Sequence, residues 1–234
     1  MFWNRNGSLF ESMDIVIFVL SYLIQLVASW ILLHRVQSVK SIYGLSSDSQ
    51  ICLLIATLSR CVWTVKTRIV ETNILLTSVA AFELIASLVS AVFLVRLFSN
   101  LRHTTTQECP TIVSAKVLVP FALTLAFLVN PGSWLNFTAQ VFVAFTMYLE
   151  AVALIPQLWL VRRMDDVEAL TSHYVGILII ARAVRMMFWV VMFFDGQSFI
   201  CLFTADLLHT ALSADYLYLW IRKLRHGGRL VYSL

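Results

Sequence analysis

Long apolar runs separated by short polar segments dominate the chain, and no stretch of about ten residues alternates between apolar and polar positions. A helical run of about 20 apolar residues crosses a bilayer, whereas alternating runs of about ten residues are typical of membrane β-barrels. The pattern therefore predicts an all-α integral membrane protein, a single domain over residues 1–234 with seven transmembrane helices. The predicted spans are 14–34, 50–66, 74–98, 117–130, 134–160, 174–194 and 199–221.

The composition agrees with this prediction, because 60% of the residues are hydrophobic and the mean hydropathy is +0.84. Soluble domains contain about 45–50% apolar residues.

The first span is longer than a signal-peptide core, and no small-residue cleavage site follows it before His34, so we expect a retained helix. The cysteines lack CxxC spacing and three of the four fall inside spans, which indicates apolar packing rather than a disulfide framework.

The basic residues are distributed unevenly between the two sides of the predicted bundle. Of the 17 lysines and arginines, 11 fall in the tail 222–234 or in and within three residues of loops 1–2, 3–4 and 5–6, three fall in or beside the segments on the other side, and three lie deep inside spans. Positively charged loops stay in the cytosol, so the C-terminus is predicted to be cytosolic and the N-terminus lumenal. The net charge of +4 therefore indicates contact with lipid headgroups rather than with nucleic acid.

Three arginines inside the spans, Arg60, Arg182 and Arg185, are the strongest functional signal. A charge at this depth costs about 2.5–3.5 kcal/mol on insertion scales, so it is retained where it meets a partner or a ligand. Counting about 1.5 Å per residue places Glu150 at a comparable depth. The same count places two further acids nearer the lumenal half, Glu83 and Asp206.

Two interpretations of the arginines stay open at this point. In the first, Arg182 pairs with Glu150, and Arg60 or Arg185 pairs with another acid, so that buried ion pairs fix the helix packing. In the second, three guanidiniums meet one carboxylate, which leaves an arginine fork for the carboxylate of a ligand. That ligand would be a small acid or the C-terminus of a peptide.

A short internal similarity suggests how the spans are arranged. Ser49 and Gln50 open the second span, which reaches Arg60, as Ser172 and His173 open the sixth, which reaches Arg182. Parallel repeats of this kind fit a 3+1+3 bundle with its site at the repeat interface. Pro156 interrupts the fifth span and is expected to kink it, either as a hinge or as a static bend.

Several stretches resemble the KDEL receptors, the ER lumen protein-retaining receptors. The most specific is 148–158, which reads YLEAVALIPQL, followed by 169–174, which reads ALTSHY and precedes Arg182. Weaker similarity occurs at 44–60, 126–130 and 215–227. The resemblance covers most of the chain from residue 44 onward.

The resemblance implies a seven-helix, 3+1+3 bundle of the sugar-transporter or PQ-loop type. It also implies a receptor that binds the C-terminal tetrapeptide of escaped ER proteins in the acidic Golgi and returns them to the ER by retrograde vesicle transport. Such a receptor lies in ER and cis-Golgi membranes. Arg60 matches the family arginine that holds the terminal carboxylate of the signal, and Arg182 and Glu150 match polar residues of the central network. Three tail residues overlie the basic segment that recruits the COPI coat: Arg222, Lys223 and Arg225.

Other positions depart from the family pattern. Gln25 stands where the family has its pH-sensing histidine, Trp63 replaces an acid one turn after Arg60, and Gln140 replaces a glutamate. His209, with Asp206 three residues earlier, is then a candidate proton sensor, the alternative being a hydrogen-bonded core histidine. Four further positions lack the family's arginines, tryptophan and tyrosine: Phe18, Val143, Ala181 and Met192.

The departures leave three functions under consideration. The first is a retrieval receptor in which Arg185 joins Arg182 and Glu150 in the pocket, with less demand for a basic first residue because Trp63 replaces the acid. The second is a small-solute transporter, although sugar sites favour Asn, Ser and aromatic groups over arginine. The third is a ligand-less paralogue that regulates secretory traffic. We expect no enzyme activity, metal or cofactor, because no nucleophile with paired acids, metal-ligand cluster or phosphate loop occurs.

Overall fold

The computed structural model describes most of the chain as α-helix. The described residues are 9–67, 74–104, 110–130, 139–163 and 169–194, together with 200, 202–207, 210, 211, 214, 217 and 218 of the last predicted span. The helices are α1 (Leu9–Val39), α2 (Ser47–Thr67), α3 (Ile74–Asn100), α4 (Ala115–Leu128), α5 (Ala139–Ala153), α6 (Ile155–Arg163) and α7 (Ala169–Phe194), with 3₁₀ turns at Arg102–Thr104 and Thr111–Val113. These residues contain no β-strand, so the all-α prediction is confirmed, whereas the 3+1+3 arrangement stays a prediction.

Within the described residues, four helical stretches are long and apolar enough to cross a membrane. They are Val16–Val39, Thr77–Asn100, Gln140–Leu160 and His173–Phe194. Their outer faces carry large exposed apolar side chains, as along α3, where Phe82, Ile85, Val89 and Phe93 recur at helical spacing. Continuous exposed apolar stripes of this kind require a lipid or protein neighbour, which agrees with a helical membrane protein.

The predicted fifth span is two helices rather than one. α5 ends at Ala153, Leu154 forms a turn, and α6 begins at Ile155. Pro156 accounts for the break, because it has no backbone N–H to donate to Val152 and its ring clashes with that carbonyl group. Regular hydrogen bonding resumes when the Leu158 N–H donates to the Leu154 carbonyl at 2.9 Å.

The packing of the helices brings the polar residues of different spans together. α3 packs against both α1 and α2, α1 packs against α7, and α2 and α4 pack against α5. Alanines allow the close approach of α2, α4 and α5, since Ala56, Ala122, Ala126 and Ala144 are all fully buried. Small residues serve this role in membranes because packing, rather than hydrophobicity, drives helix association there.

A buried amide ties α6 to the segment between α1 and α2. The side-chain Oε1 of Gln157 accepts a hydrogen bond from the Ser46 N–H at 2.8 Å, and its side-chain Nε2 donates to the Gly44 carbonyl at 2.9 Å. The Gln157 backbone N–H also donates to the Ser49 hydroxyl at 3.1 Å. Gly44 has a φ of 74°, which glycine adopts without the steric penalty of a Cβ atom. One side chain therefore satisfies two backbone groups of an irregular buried segment.

The end of α1 supplies a stability prediction. Lys40 follows the last helical residue with a φ of 52°, and its N–H donates to the Val36 carbonyl at 2.9 Å. This left-handed position after a helix favours glycine. We expect Lys40→Gly to raise the free energy of unfolding by about 0.5–1 kcal/mol, because relief of Cβ strain outweighs the added freedom of the unfolded chain. Thermal unfolding in detergent, with Lys40→Ala as the control that keeps the Cβ atom, measures the effect. Equal stability of the two variants would contradict the explanation.

Candidate functional site

Arg60 of α2 forms an ion pair with Glu83 of α3. The guanidinium Nη2 donates to the Glu83 Oε1 at 2.9 Å, and the two residues are only 3% and 4% exposed. The Ser87 hydroxyl, one turn further along α3, donates to the same Oε1 at 2.5 Å. Glu83 is therefore held in place by a serine of its own helix, α3, while it binds the arginine of α2.

Glu150 of α5 lies between two arginines of α7. Its Oε2 accepts from Arg182 Nη1 at 2.6 Å and also from Arg185 Nη1. Arg182 Nη2 also contacts the Glu150 backbone carbonyl at 3.4 Å. Arg182 and Arg185 lie three residues apart on one face of α7, which is why a single carboxylate reaches both.

Asp206 completes the pairing of Arg185. Arg185 Nε donates to Oδ2 at 2.8 Å and Nη2 donates to Oδ1 at 2.5 Å, so the contact is bidentate. The indole Nε1 of Trp189 donates to the same Oδ2 at 2.8 Å. Asp206 is fully buried, and a bidentate, further hydrogen-bonded carboxylate is the arrangement that makes a buried charge tolerable.

Aromatic rings surround these pairs. The centroid of the Tyr22 ring of α1 lies 3.7 Å from the Arg60 Cζ and 5.8 Å from the Arg185 Cζ, so that both guanidiniums are within cation–π range of one ring. The Tyr22 hydroxyl also accepts from Arg185 Nη1 at 3.4 Å. Phe18 connects Tyr22 to two more rings, with centroid distances of 6.3 Å to Trp63 and 5.1 Å to Phe188. Water is thereby excluded from one side of the charges, which strengthens their interactions.

We call these ion pairs the buried charge network. Its six charged residues are Arg60, Glu83, Glu150, Arg182, Arg185 and Asp206. Three guanidiniums face three carboxylates within the described residues, so the network is electrically neutral when all six groups are ionised. Hydrogen bonding is less complete than charge pairing, because Arg60 Nε and Nη1 are buried and have no hydrogen-bond partner in the described part of the chain.

The network corrects the interpretation in which three guanidiniums meet one carboxylate. As the first interpretation stated, Arg182 pairs with Glu150, and further acids pair with Arg60 and Arg185. These acids are Glu83 and Asp206, which the depth count places nearer the lumenal half. The depth count misplaced Glu83 relative to Arg60. Counted from the shared connection between α2 and α3, Arg60 lies about 10 Å and Glu83 about 14 Å into their helices, which is the same level.

The substituted family positions are distributed around the network and not inside it. Trp63 is buried against Phe18, beside Arg60 on the same helix. Gln25 and Gln140 are half-buried, and no hydrogen bond of either side chain to the network is found among the described residues. Their assignment as ligand-binding residues therefore stays a prediction.

Two groups of predicted functional residues lie outside the described residues. They are the candidate proton sensor His209 and the three tail residues Arg222, Lys223 and Arg225. Asp206, the suggested partner of His209, is bound by Arg185 and Trp189, and its pairing with His209 stays a prediction. Within the part of the chain that the structure describes, no three metal-ligating side chains come together.

Sequence reasoning missed the roles of Tyr22, Ser87 and Trp189. Each is an amphipathic or small polar residue within an apolar run, where an apolar core position looks the same. A usable signal exists for Ser87, because it follows Glu83 by four residues and therefore lies on the same face of the helix. Tyr22 offers no comparable signal, since its partners come from α2 and α7.

Comparison with known proteins adds information to this geometry. The sequence model of the family described as "ER lumen protein retaining receptor" matches residues 41–192, which include five of the six charged residues of the network. An ER lumen protein-retaining receptor of Drosophila melanogaster is 31% identical over 203 residues, covering 86% of this chain and 90% of that protein. A Plasmodium falciparum protein of the same name is 27% identical over 212 residues, covering 89% and 93%. The human ER lumen protein-retaining receptor 2 is 32% identical over 112 residues, covering 44% and 53%.

Proposed function

The chain belongs to the family of ER lumen protein-retaining receptors, and from this premise we propose that it binds the C-terminal tetrapeptide of lumenal proteins through the peptide's terminal carboxylate at Arg60. The receptor would act in ER and cis-Golgi membranes, with a lumenal N-terminus. It would return its cargo to the ER by retrograde transport, with the basic residues Arg222, Lys223 and Arg225 of the cytosolic tail recruiting the COPI coat.

The observation that carries this proposal is the unequal hydrogen bonding of Arg60. Glu83 occupies Nη2, whereas Nε and Nη1 are buried donors without an acceptor in the described structure. Each unsatisfied buried donor costs about 1–3 kcal/mol, and more when it is charged. An incoming carboxylate oxygen would remove that cost, and the planar guanidinium suits a carboxylate better than it suits a neutral oxygen.

The neighbouring rings favour a particular kind of peptide. Trp63 and Phe18 present apolar surface next to Arg60 where the resemblance leads one to expect an acid. A lysine ammonium gains about 0.5–2 kcal/mol from a ring face, depending on its hydration, and position 63 offers it no carboxylate to pair with. We therefore expect the preferred tetrapeptide to depend less on a basic first residue than the Lys-Asp-Glu-Leu signal does.

Binding of a tetrapeptide library to the purified full-length protein tests the proposal. Each peptide is offered as the free acid and as the C-terminal amide, at about pH 5.5 and about pH 7.4, the range across which histidine-dependent switches respond. We expect at least one sequence to bind about tenfold or more tightly as the free acid, because a charge-assisted bidentate contact is worth about 1.5–3 kcal/mol.

The matched control is the double variant Arg60→Gln/Glu83→Gln, which removes a cation and an anion together and leaves the network neutral. We expect it to remain folded and to lose the preference for the free acid. Equal binding of acid and amide forms by the unaltered protein, or a preference that persists in the double variant, would contradict the proposal. Flux of a sugar or amino acid in proteoliposomes without peptide binding would favour the transporter alternative.

A further inference from the structure

Glu83 is placed to control access to Arg60. Its Oε1 accepts from Arg60 Nη2 and from the Ser87 hydroxyl, so the carboxylate is fixed on both sides. Arg60 and Glu83 are each almost completely buried. A ligand that binds Arg60 must therefore either add its carboxylate beside that of Glu83 or displace Glu83 from the arginine.

Adding a carboxylate is electrostatically unfavourable because, among the described residues, the site has no spare positive charge. Arg60 is matched by Glu83, Arg182 and Arg185 by Glu150 and Asp206, and one more anion would give the buried charge network a net charge of −1. The other charged or titratable groups that act on Arg60 and Glu83 are Tyr22 of α1, Cys61 of α2 and Glu150 of α5. None of these supplies an additional cation, and an isolated buried charge is strongly disfavoured.

Displacing Glu83 is also unfavourable, because the ligand then binds Arg60 while, among the described residues, Glu83 keeps only its hydrogen bond from the Ser87 hydroxyl. A buried acid that loses its cation costs several kcal/mol. In either route the affinity measured for a carboxylate is lower than the intrinsic affinity of Arg60.

We propose that Glu83 is an internal competitor of the ligand carboxylate and thereby sets the affinity of the Arg60 site. This inference rests on the proposed function, since it concerns the same arginine. It assigns a specificity-determining role to an acid on α3 that contacts the arginine and not the ligand. Glu83 keeps the unliganded site neutral and lowers the affinity of Arg60 for a ligand carboxylate. Only ligands that make enough additional contacts displace the Glu83 carboxylate.

The test compares Glu83→Gln with the unaltered protein, using the best free-acid tetrapeptide of the library and its amide. Glutamine keeps an oxygen that accepts from Arg60 and Ser87 but removes the charge. We expect the affinity for the free acid to rise about tenfold or more, because one close like charge is removed, and the affinity for the amide to stay within about twofold. Glu83→Met, of similar volume and also uncharged, provides a second variant if the glutamine variant does not fold.

Two controls separate local competition from a general charge effect. Glu83→Asp keeps the negative charge beside Arg60 and is expected to keep the affinity low. Asp48→Asn removes a negative charge at the far end of α2, about 18 Å along the helix from Arg60, and is expected to leave peptide affinity unchanged. An affinity gain of the same size in Asp48→Asn would overturn the inference.

The outcomes distinguish this inference from the proposed function. If the unaltered protein binds the free acid in an Arg60-dependent manner and Glu83→Gln binds it no better, Glu83 is not a competitor and only the inference fails. If neither protein binds any free-acid peptide, the proposed function fails and the inference fails with it. Binding that appears only in Glu83→Gln would support both.

Discussion

Replacement of Glu150 by glutamine is expected to lower the free energy of unfolding by about 3–5 kcal/mol, the effect of breaking a buried ion pair on one side. Glu150 Oε2 is shared by Arg182 and Arg185. Without the Glu150 charge, Arg185 keeps its contact with Asp206, whereas the buried guanidinium of Arg182 loses the carboxylate it is paired with. The measurement is thermal unfolding of the purified protein in detergent, supported by the yield of folded protein from membranes.

A charge-balanced variant provides the control for this prediction. Glu150→Gln/Arg182→Gln removes one carboxylate and one guanidinium, and it leaves the bidentate Arg185–Asp206 pair intact. We expect the double variant to be more stable than Glu150→Gln alone, because the remaining buried charges are again matched. A double variant that is less stable than the single one would show that hydrogen bonds of Arg182, rather than charge balance, dominate.

Replacement of Gln157 by leucine is expected to lower the free energy of unfolding by a similar amount, but for a different reason. The substitution leaves the Ser46 N–H and the Gly44 carbonyl without their partner in a buried segment. Each unsatisfied group costs about 1–3 kcal/mol, so the expected loss of unfolding free energy is about 2–6 kcal/mol. Thermal unfolding in detergent measures it, and hydrogen exchange of the Ser46 amide reports the loss locally.

The same substitution at Gln37 is the matched control. Gln37 lies on α1 with an exposed side chain, and a surface change of this kind stays within about 0.5 kcal/mol. If Gln157→Leu were no more destabilising than Gln37→Leu, the amide would not hold α6 to the connection between α1 and α2.

The helices could be predicted from the sequence because a bilayer leaves the backbone few alternatives. Apolar runs at 14–34, 74–98 and 174–194 coincide with α1, α3 and α7, which extend a few residues past them. The hydrocarbon core sets the apolar length of a run, whereas capping and the following turns set where the helix ends. The break at Leu154 was also predictable, since proline acts locally.

The partners of the arginines were less predictable than the arginines themselves. A charged residue in an apolar run is visible in the sequence at any position, and Arg60, Arg182 and Arg185 were identified in this way. Which acid each one meets depends on the rotation of one helix relative to another. Away from its C-terminal end, where Arg96 and Asn100 lie, α3 is apolar on all sides apart from Glu83 and a few hydroxyls, so its sequence contains little information about that rotation.

The aromatic environment was the least predictable part of the site. Tyr22 contacts Arg60 and Arg185, which are far apart in the sequence and on different helices. Only the packing of α1 against α7 and of α3 between α1 and α2 brings these residues together. The family resemblance does not identify these contacts, because none of the similar stretches lies in the first or third predicted span.

The buried charge network also affects how the protein is assembled in the membrane. Every ion pair joins residues of different helices: α2 with α3, α5 with α7, and α7 with the helical segment at 202–207. A chain synthesised from its N-terminus can neutralise Arg60 as soon as the α2–α3 hairpin has inserted. Glu150 is neutralised only after α7 has inserted, and Arg185 completes its pairing only after the segment that carries Asp206 has inserted. A nascent chain interrupted after α5 therefore keeps an unmatched charge in the bilayer, a feature by which an incomplete receptor differs from a finished one.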